Sequence, residues 1–238
     1  MRIHLFLLLA ILGLAACESP TLSEVLQQPI AASGTAKSEV AEQADRAAQN
    51  FLTVLERVEP VAERICLQQR KTQCDFQIIV DDRSGQSPNA FQTVDRRGRP
   101  MLVFNIALLA SVRNPDELAF VMGHEASHHI LRHLEQQQAY ARAGAEILSG
   151  IVAVRGANSA QLKAAQQLGA QIGARSFSKD FELEADRLGT RISLDAGFDP
   201  VLGAQFFNRL PDPGNRFLGT HPPNTQRMDI VKQTVAGL

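Results

Sequence analysis

The run His124-Glu125-Ala126-Ser127-His128 constrains this chain more than any other feature. On a helix, residues four apart share a face, so both imidazoles can be directed at one metal ion. Glu125 sits one step around, beside that point, where a carboxylate can take a proton from a water activated by the metal. Val121, Met122, Ile130 and Leu131 give the helix an apolar side, which predicts burial. Buried imidazoles need a partner because unpaired polar burial is costly, and a metal ion supplies one. The helix is expected to start at Asn114-Pro115-Asp116-Glu117, a capping Asn followed by Pro and two acids, and to run to about Gln138.

Two His and a water leave such a site one ligand short. A third His on the same helix would need Gly at position 131 and His at 134, and both are Leu. His129 points about 100° away from His128. His133 lies off the ligand face, and both read as surface or internally satisfied histidines. The better candidate is in Phe181-Glu182-Leu183-Glu184-Ala185-Asp186, where Glu182 and Asp186 share a helix face. Glu182 can be the third ligand, while Asp186 accepts a hydrogen bond from a ligand imidazole and fixes its tautomer. Glu184 points elsewhere and reads as solvated. The alternative for the whole segment is a charged helix face of i,i+4 pairs.

The N-terminus predicts a compartment. Met1-Arg2-Ile3-His4 is a short positive lead, and Leu5 to Leu14 is apolar but too short to span a bilayer. The run ends in Leu14-Ala15-Ala16-Cys17, which resembles a bacterial lipobox. Residues 1–16 then read as a signal peptide, Cys17 as a lipidated membrane anchor, and 17–37 as a flexible tether. A secretory signal cut at Ala16, or a buried apolar helix, is the alternative. Glu18 after the Cys implies the outer membrane, facing the periplasm. Cys66 and Cys74 remain, and an oxidising compartment favours their pairing over two separate buried thiols. A formal net charge of −1 with 45% hydrophobic residues points neither to a nucleic-acid partner nor to disorder.

Along the rest of the chain, apolar residues from Val40 to Ile65 recur at helical steps from Ser38 onward, with Pro60 expected to kink or split that helix. Phe76 to Asp81, Asn89 to Val94 and Met101 to Asn105 read as short strands. A second helical region covers roughly 139–175, broken near Gly156-Ala157-Asn158, with Gly169 and Gly173 able to allow close packing. Its apolar stretch 143–155 is too short to span a bilayer and reads as core, with a membrane-touching or lid role as the alternative. Ser178 is expected to cap the helix carrying Glu182, which ends at Gly197. The fold class is therefore α+β, predominantly α, with one domain over 38–238 built from a small sheet, the His124–His128 helix and a second helix delivering Glu182.

With those motifs in place, the chain resembles the HtpX and CAAX-prenyl-protease type of gluzincin zinc metallopeptidases, and among them the periplasmic lipoprotein members. Asn89-Ala90-Phe91, Asp116-Glu117-Leu118-Ala119 before His124-Glu125, Glu182 through Gly189, Ala196-Gly197-Phe198-Asp199-Pro200 and Thr220-His221-Pro222-Pro223 carry the likeness over about residues 45–235. The resemblance implies a zincin-like fold, one Zn²⁺ per chain, Glu182 rather than Glu184 as third ligand, and peptide-bond hydrolysis with Glu125 as base. It also implies roles for His221, as a fourth ligand that blocks the metal or as an oxyanion donor, and for Arg227 as an oxyanion donor. Substrates are expected to be unfolded or misfolded envelope proteins, an extended one pairing with the sheet edge near Leu102 to Asn105. A chain ending at Leu238 is expected to lack the repeat domain some members use for partner docking. The rival expectation is a lipoprotein chaperone or scaffold whose zinc site is latent.

Overall fold

The computed structural model describes residues 31–214, 216 and 219–238. The expected signal peptide, Cys17 and the tether up to residue 30 lie outside the described residues. The chain divides into two compact units, Met1–Glu42 and Gln43–Leu238, and apart from the first residues of the first helix the features below lie in the second. Among the described residues, no helix is long and apolar enough to cross a membrane.

Helix α1 (Ala31–Gln69) opens ahead of the expected start at Ser38 and runs without interruption through Pro60. Pro60 and Glu56, the residue whose carbonyl it leaves unbonded, are both exposed. Water can replace the missing hydrogen bond there, which is why the helix is not split. The opposite face buries Phe51, Val54, Val58, Ala62 and Ile65, and Phe51 meets Phe104 edge-on at 5.9 Å. Cys66, in the last turn of the helix, and Cys74, beyond its end, are joined by a disulfide with Cα atoms 5.6 Å apart. Inside that loop the Gln73 carbonyl accepts from His129 Nε2 at 2.7 Å, and Arg70 donates to the His129 carbonyl, so the loop is pinned to the helix that carries His124 and His128.

Strands β1 (Gln77–Asp81), β2 (Ala90–Val94) and β3 (Pro100–Asn105) form a sheet of order β1-β3-β2, with β1 parallel and β2 antiparallel to β3. The segment expected to offer a free edge, Leu102 to Asn105, is thus central and hydrogen-bonded on both sides. Its unbroken apolar run Leu102-Val103-Phe104 is the mark of a strand covered on both faces. The edge nearest the helix that carries His124 and His128 is β2. Asn105 secures it: its side chain accepts from Asn89 N at 3.0 Å, donates to the Ser87 carbonyl at 2.7 Å, and caps α2 (Ile106–Ser111).

The expected single helix 114–138 is two. Helix α3 (Pro115–Ile130) is capped by Asn114, and α4 (His133–Ala153) follows after Arg132 adopts a left-handed backbone, φ 63°. Helix α4 and α5 (Ser159–Arg175) make a tight hairpin, where a Cβ on Gly169 would strike the Gly144 carbonyl and one on Gly173 the Tyr140 carbonyl. Close packing at Gly169 and Gly173 therefore brings two backbones together. The stretch 143–155 is not core: Ile147, Ile151 and Val154 are exposed on the hairpin's outside. Helix α6 (Ser178–Asp195) packs along α3. Ser178 is its first residue rather than its cap, and its hydroxyl donates to the Ala174 carbonyl instead. A short helix α7 (Pro200–Gly203), a 3-10 turn (Ala204–Arg209) and α8 (Asn224–Ala236) complete the domain. The 3-10 turn is tied to α3 by a bidentate ion pair between Arg209 and the buried Glu117.

Candidate metal centre

Helix α3 is buried along most of its length, so His124 is almost fully enclosed and His128 and Glu125 are half-buried at the wall of a groove. That groove, about 540 Å³, is lined by β2, α3, α6, the 3-10 turn and the loop carrying His221. His124 and His128 turn their Nε2 atoms toward each other, 3.1 Å apart. Glu182, from α6, brings Oε2 to 3.5 Å from His124 Nε2 and Oε1 to 3.4 Å from His128 Nε2. Among the described residues, these three form the group of donor atoms close enough to hold one metal ion. Donors of a tetrahedral zinc with bonds of ~2.0–2.1 Å stand roughly 3.3–3.4 Å apart. The three separations, 3.1, 3.4 and 3.5 Å, lie near that spacing, with the two Glu182 oxygens facing one imidazole each, and two imidazoles with one carboxylate is a donor set zinc favours.

Two glycines allow the helices to come this close. A Cβ on Gly189 would lie 2.9 Å from the His124 amide nitrogen and 3.0 Å from its Cα, and one on Gly123 would lie 3.0 Å from the Gly189 carbonyl. Backbone cannot yield as a flexible side chain can. Gly189→Ala is therefore expected to push α6 off α3, lowering stability by about 1–3 kcal/mol and weakening metal affinity with it. Thermal melting and chelator competition on the same variant measure both.

Below the candidate ligands lies a buried ionic layer. Asp186, fully buried, accepts from His124 Nδ1 at 2.9 Å, which fixes that imidazole with Nε2 toward the metal position. Arg227 donates to both Asp186 oxygens, through Nε at 2.7 Å and Nη2 at 2.6 Å, and lies over the Phe207 ring at 3.5 Å. Burial disfavours charge on Asp186, but the Arg227 charge and hydrogen bonds hold its pKa below the usual carboxylate range. Burial likewise opposes charge on Glu182, and the neighbouring imidazoles of His124, His128 and His221 hold its pKa well down. His124 loses solvation too, yet its bonds to Asp186 and Glu182 raise its pKa to about 10. A field that favours a proton there favours a divalent cation as well.

His221 is exposed at the groove mouth, with Nδ1 3.1 Å from Glu182 Oε2. The structure thus brings Glu125, His221 and Arg227 to the same groove as the three candidate ligands. Two side chains read as bland belong to this cluster. His133 is buried, stacks on Phe181 at 4.5 Å, and its Nδ1 is 2.9 Å from His128 Nδ1. Its Nε2 meets Glu184 Oε2 at 3.1 Å, so Glu184 is not simply solvated. Burial, then the neighbouring His128 and His124, push the His133 pKa down to about 3, which keeps the ring neutral. The signal that could have found His133 is the left-handed break at Arg132, which has no glycine to announce it. His129 is internally satisfied by the Gln73 carbonyl and faces Phe76 edge-on.

An active helix with the two His four apart, crossed by a helix that delivers a glutamate, defines a zincin-like metallopeptidase domain. Residues 48–235 match the profile of peptidase family M48, and the chain belongs to that family. It is similar to the beta-barrel assembly-enhancing protease of Yersinia pestis, 32% identical over 144 residues, which cover 55% of this chain and 30% of that protein. The protein of the same name from Escherichia coli (strain K12) is 31% identical over 140 residues, covering 53% and 29%. The mitochondrial metalloendopeptidase OMA1 of Schizosaccharomyces pombe is 29% identical over 157 residues, covering 62% and 43%. The chain spans less than half the length of each of these relatives.

Proposed function

We propose that this chain is a zinc-dependent endopeptidase of the bacterial envelope, acting on misfolded or misassembled proteins. The observation that carries the reading is the convergence of His124, His128 and Glu182 at the spacing of a tetrahedral zinc, with Glu125 on the wall of the same groove. One Zn²⁺ per chain, held by those three residues, would supply Lewis acidity and lower the pKa of a bound water toward neutrality. Glu125 takes the proton of the attacking water and returns it to the leaving amine. Asp186 and Arg227 hold His124 and Glu182 in place from below. The free edge of β2 offers backbone groups to an extended substrate strand, a role its position beside α3 supports better than the central β3.

His221, exposed at the groove mouth, is the proposed donor to a developing oxyanion, while Nε and Nη2 of the buried Arg227 are held by Asp186. His221→Ala is expected to lower kcat by about 10²–10³-fold; a rise in cleavage would instead favour a site that this residue holds shut. The rival reading, a chaperone or scaffold with a latent site, is not favoured by membership of a peptidase family. The lipobox-like Leu14-Ala15-Ala16-Cys17 supports anchorage through Cys17, and Glu18 after it supports the outer membrane facing the periplasm. Similarity to proteases named for β-barrel assembly supports unfolded outer-membrane proteins as substrates. The test is cleavage of an unfolded β-barrel protein by the purified chain, with chelator and with zinc restored. Cleavage that chelator abolishes and zinc returns is expected; cleavage indifferent to chelator contradicts the reading.

A further inference from the structure

We propose that His133 and Glu184 form a positioning relay that fixes the tautomer and ring orientation of His128. The proposal rests on the reading of His128 as a metal ligand, and it deepens that reading. An imidazole has two nitrogens. In His128, Nε2 faces His124 Nε2 at 3.1 Å and stands 3.4 Å from Glu182 Oε1, a longer contact than the 2.9 and 3.1 Å contacts that continue from its Nδ1 side, so the lone pair is placed on Nε2, toward the metal position. The proton of a neutral His128 must then sit on Nδ1, which is 2.9 Å from His133 Nδ1. For that contact to be a hydrogen bond, His133 Nδ1 accepts and its own proton sits on Nε2. Glu184 Oε2 receives that proton at 3.1 Å. The opposite assignment would set a bare His133 Nε2 against a carboxylate oxygen, two acceptors in contact. The hydrogen bonds therefore run one way, from His128 to His133 to Glu184.

The ring that relays them is held rigidly. His133 is buried and stacks on Phe181, 15° from parallel. Arg132 in the left-handed region ends α3 and restarts the chain as α4, which swings His133 back over His128. The two candidate ligand imidazoles are thus oriented alike: His124 by a carboxylate directly, His128 by a carboxylate through a second imidazole. Both carboxylates come from α6, the helix that also delivers Glu182. One helix then supplies a ligand and both orienting charges.

The test uses the full chain labelled at its histidines. In the metal-free protein, long-range proton–nitrogen correlation reads the His128 tautomer without reference to zinc. The Nδ1–H form is expected to predominate in the native chain and to give way to a mixture in His133→Phe, which keeps the stack on Phe181 but has no acceptor. His133→Asn places Oδ1 where Nδ1 stood and is expected to restore the Nδ1–H form. Zinc affinity by chelator competition is expected to fall about 10–100-fold in His133→Phe and to recover in His133→Asn. Should His133→Phe not fold, Glu184→Leu, at a half-exposed position, is expected to shift the tautomer and weaken zinc in the same direction. An unchanged His128 tautomer and unchanged zinc affinity in the folded variants would overturn the relay. A native chain that binds no zinc would overturn the metal-site reading instead, and the tautomer measurement would still decide the relay.

Discussion

Replacing Glu125 with Gln is expected to lower peptide-bond hydrolysis by about 10²–10⁴-fold, the range for loss of a general acid–base group. Zinc content and thermal stability are expected to stay at native values. The separation follows from geometry. Glu125 stands on the groove wall, while the three atoms that converge on the metal position come from His124, His128 and Glu182. Gln has nearly the same shape, so packing is preserved, but an amide cannot take a proton from water at neutral pH. The loss should fall on kcat, because the group acts on the reacting water and not on substrate binding. Measured kcat and KM on a single-site peptide, beside zinc content on the same preparations, check this. Equal kcat in native and Glu125→Gln chains would remove Glu125 from the reaction.

Asp186→Leu is expected to be the most destabilising change in the site, by about 3–5 kcal/mol. It leaves the Arg227 guanidinium buried with its main partner gone, since Nε and Nη2 both donate to Asp186 and the ion pair left is the longer 3.5 Å contact to Glu182. It also frees His124 Nδ1, so zinc affinity should fall a further 10–100-fold or so. These two losses separate in a double variant. Adding Arg227→Met removes the stranded charge and should recover much of the stability, because a buried ion pair exchanged for apolar groups of similar volume is often neutral. It does not restore the acceptor for His124, so zinc affinity should remain low. Chemical denaturation and chelator competition on native, single and double variants measure both effects. Full recovery of zinc binding in the double variant would show that Asp186 acts only as a counterion.

The candidate ligands were legible because helical spacing is a local property. His124 with His128, and Glu182 with Asp186, each sit four apart, and either pair needs only one helix to become a pair in space. The strands were legible within a residue at each end for the same reason. Strand order was not, because which strand lies in the middle depends on pairing between distant segments, and only the unbroken Leu102-Val103-Phe104 run hinted at it. The stretch 143–155 shows the limit of hydrophobic periodicity: it specifies a face, and no local pattern says whether another element covers it. The contacts of His133 with His128 and Glu184 were not legible, for a backbone reason. Measured along a continuous helix, His133 falls off the ligand face, and only the left-handed turn at Arg132 brings it onto His128. Arg at such a position carries no sequence mark comparable to Gly.

The central claim is that His124, His128 and Glu182 hold one zinc. Metal analysis of the purified chain, native and Glu182→Ala, tests it most directly. The account predicts one zinc per native chain and a loss to substoichiometric content in Glu182→Ala, with the variant still folded. Zinc content that is the same in both, or a native chain that takes up no zinc when it is supplied, would contradict it.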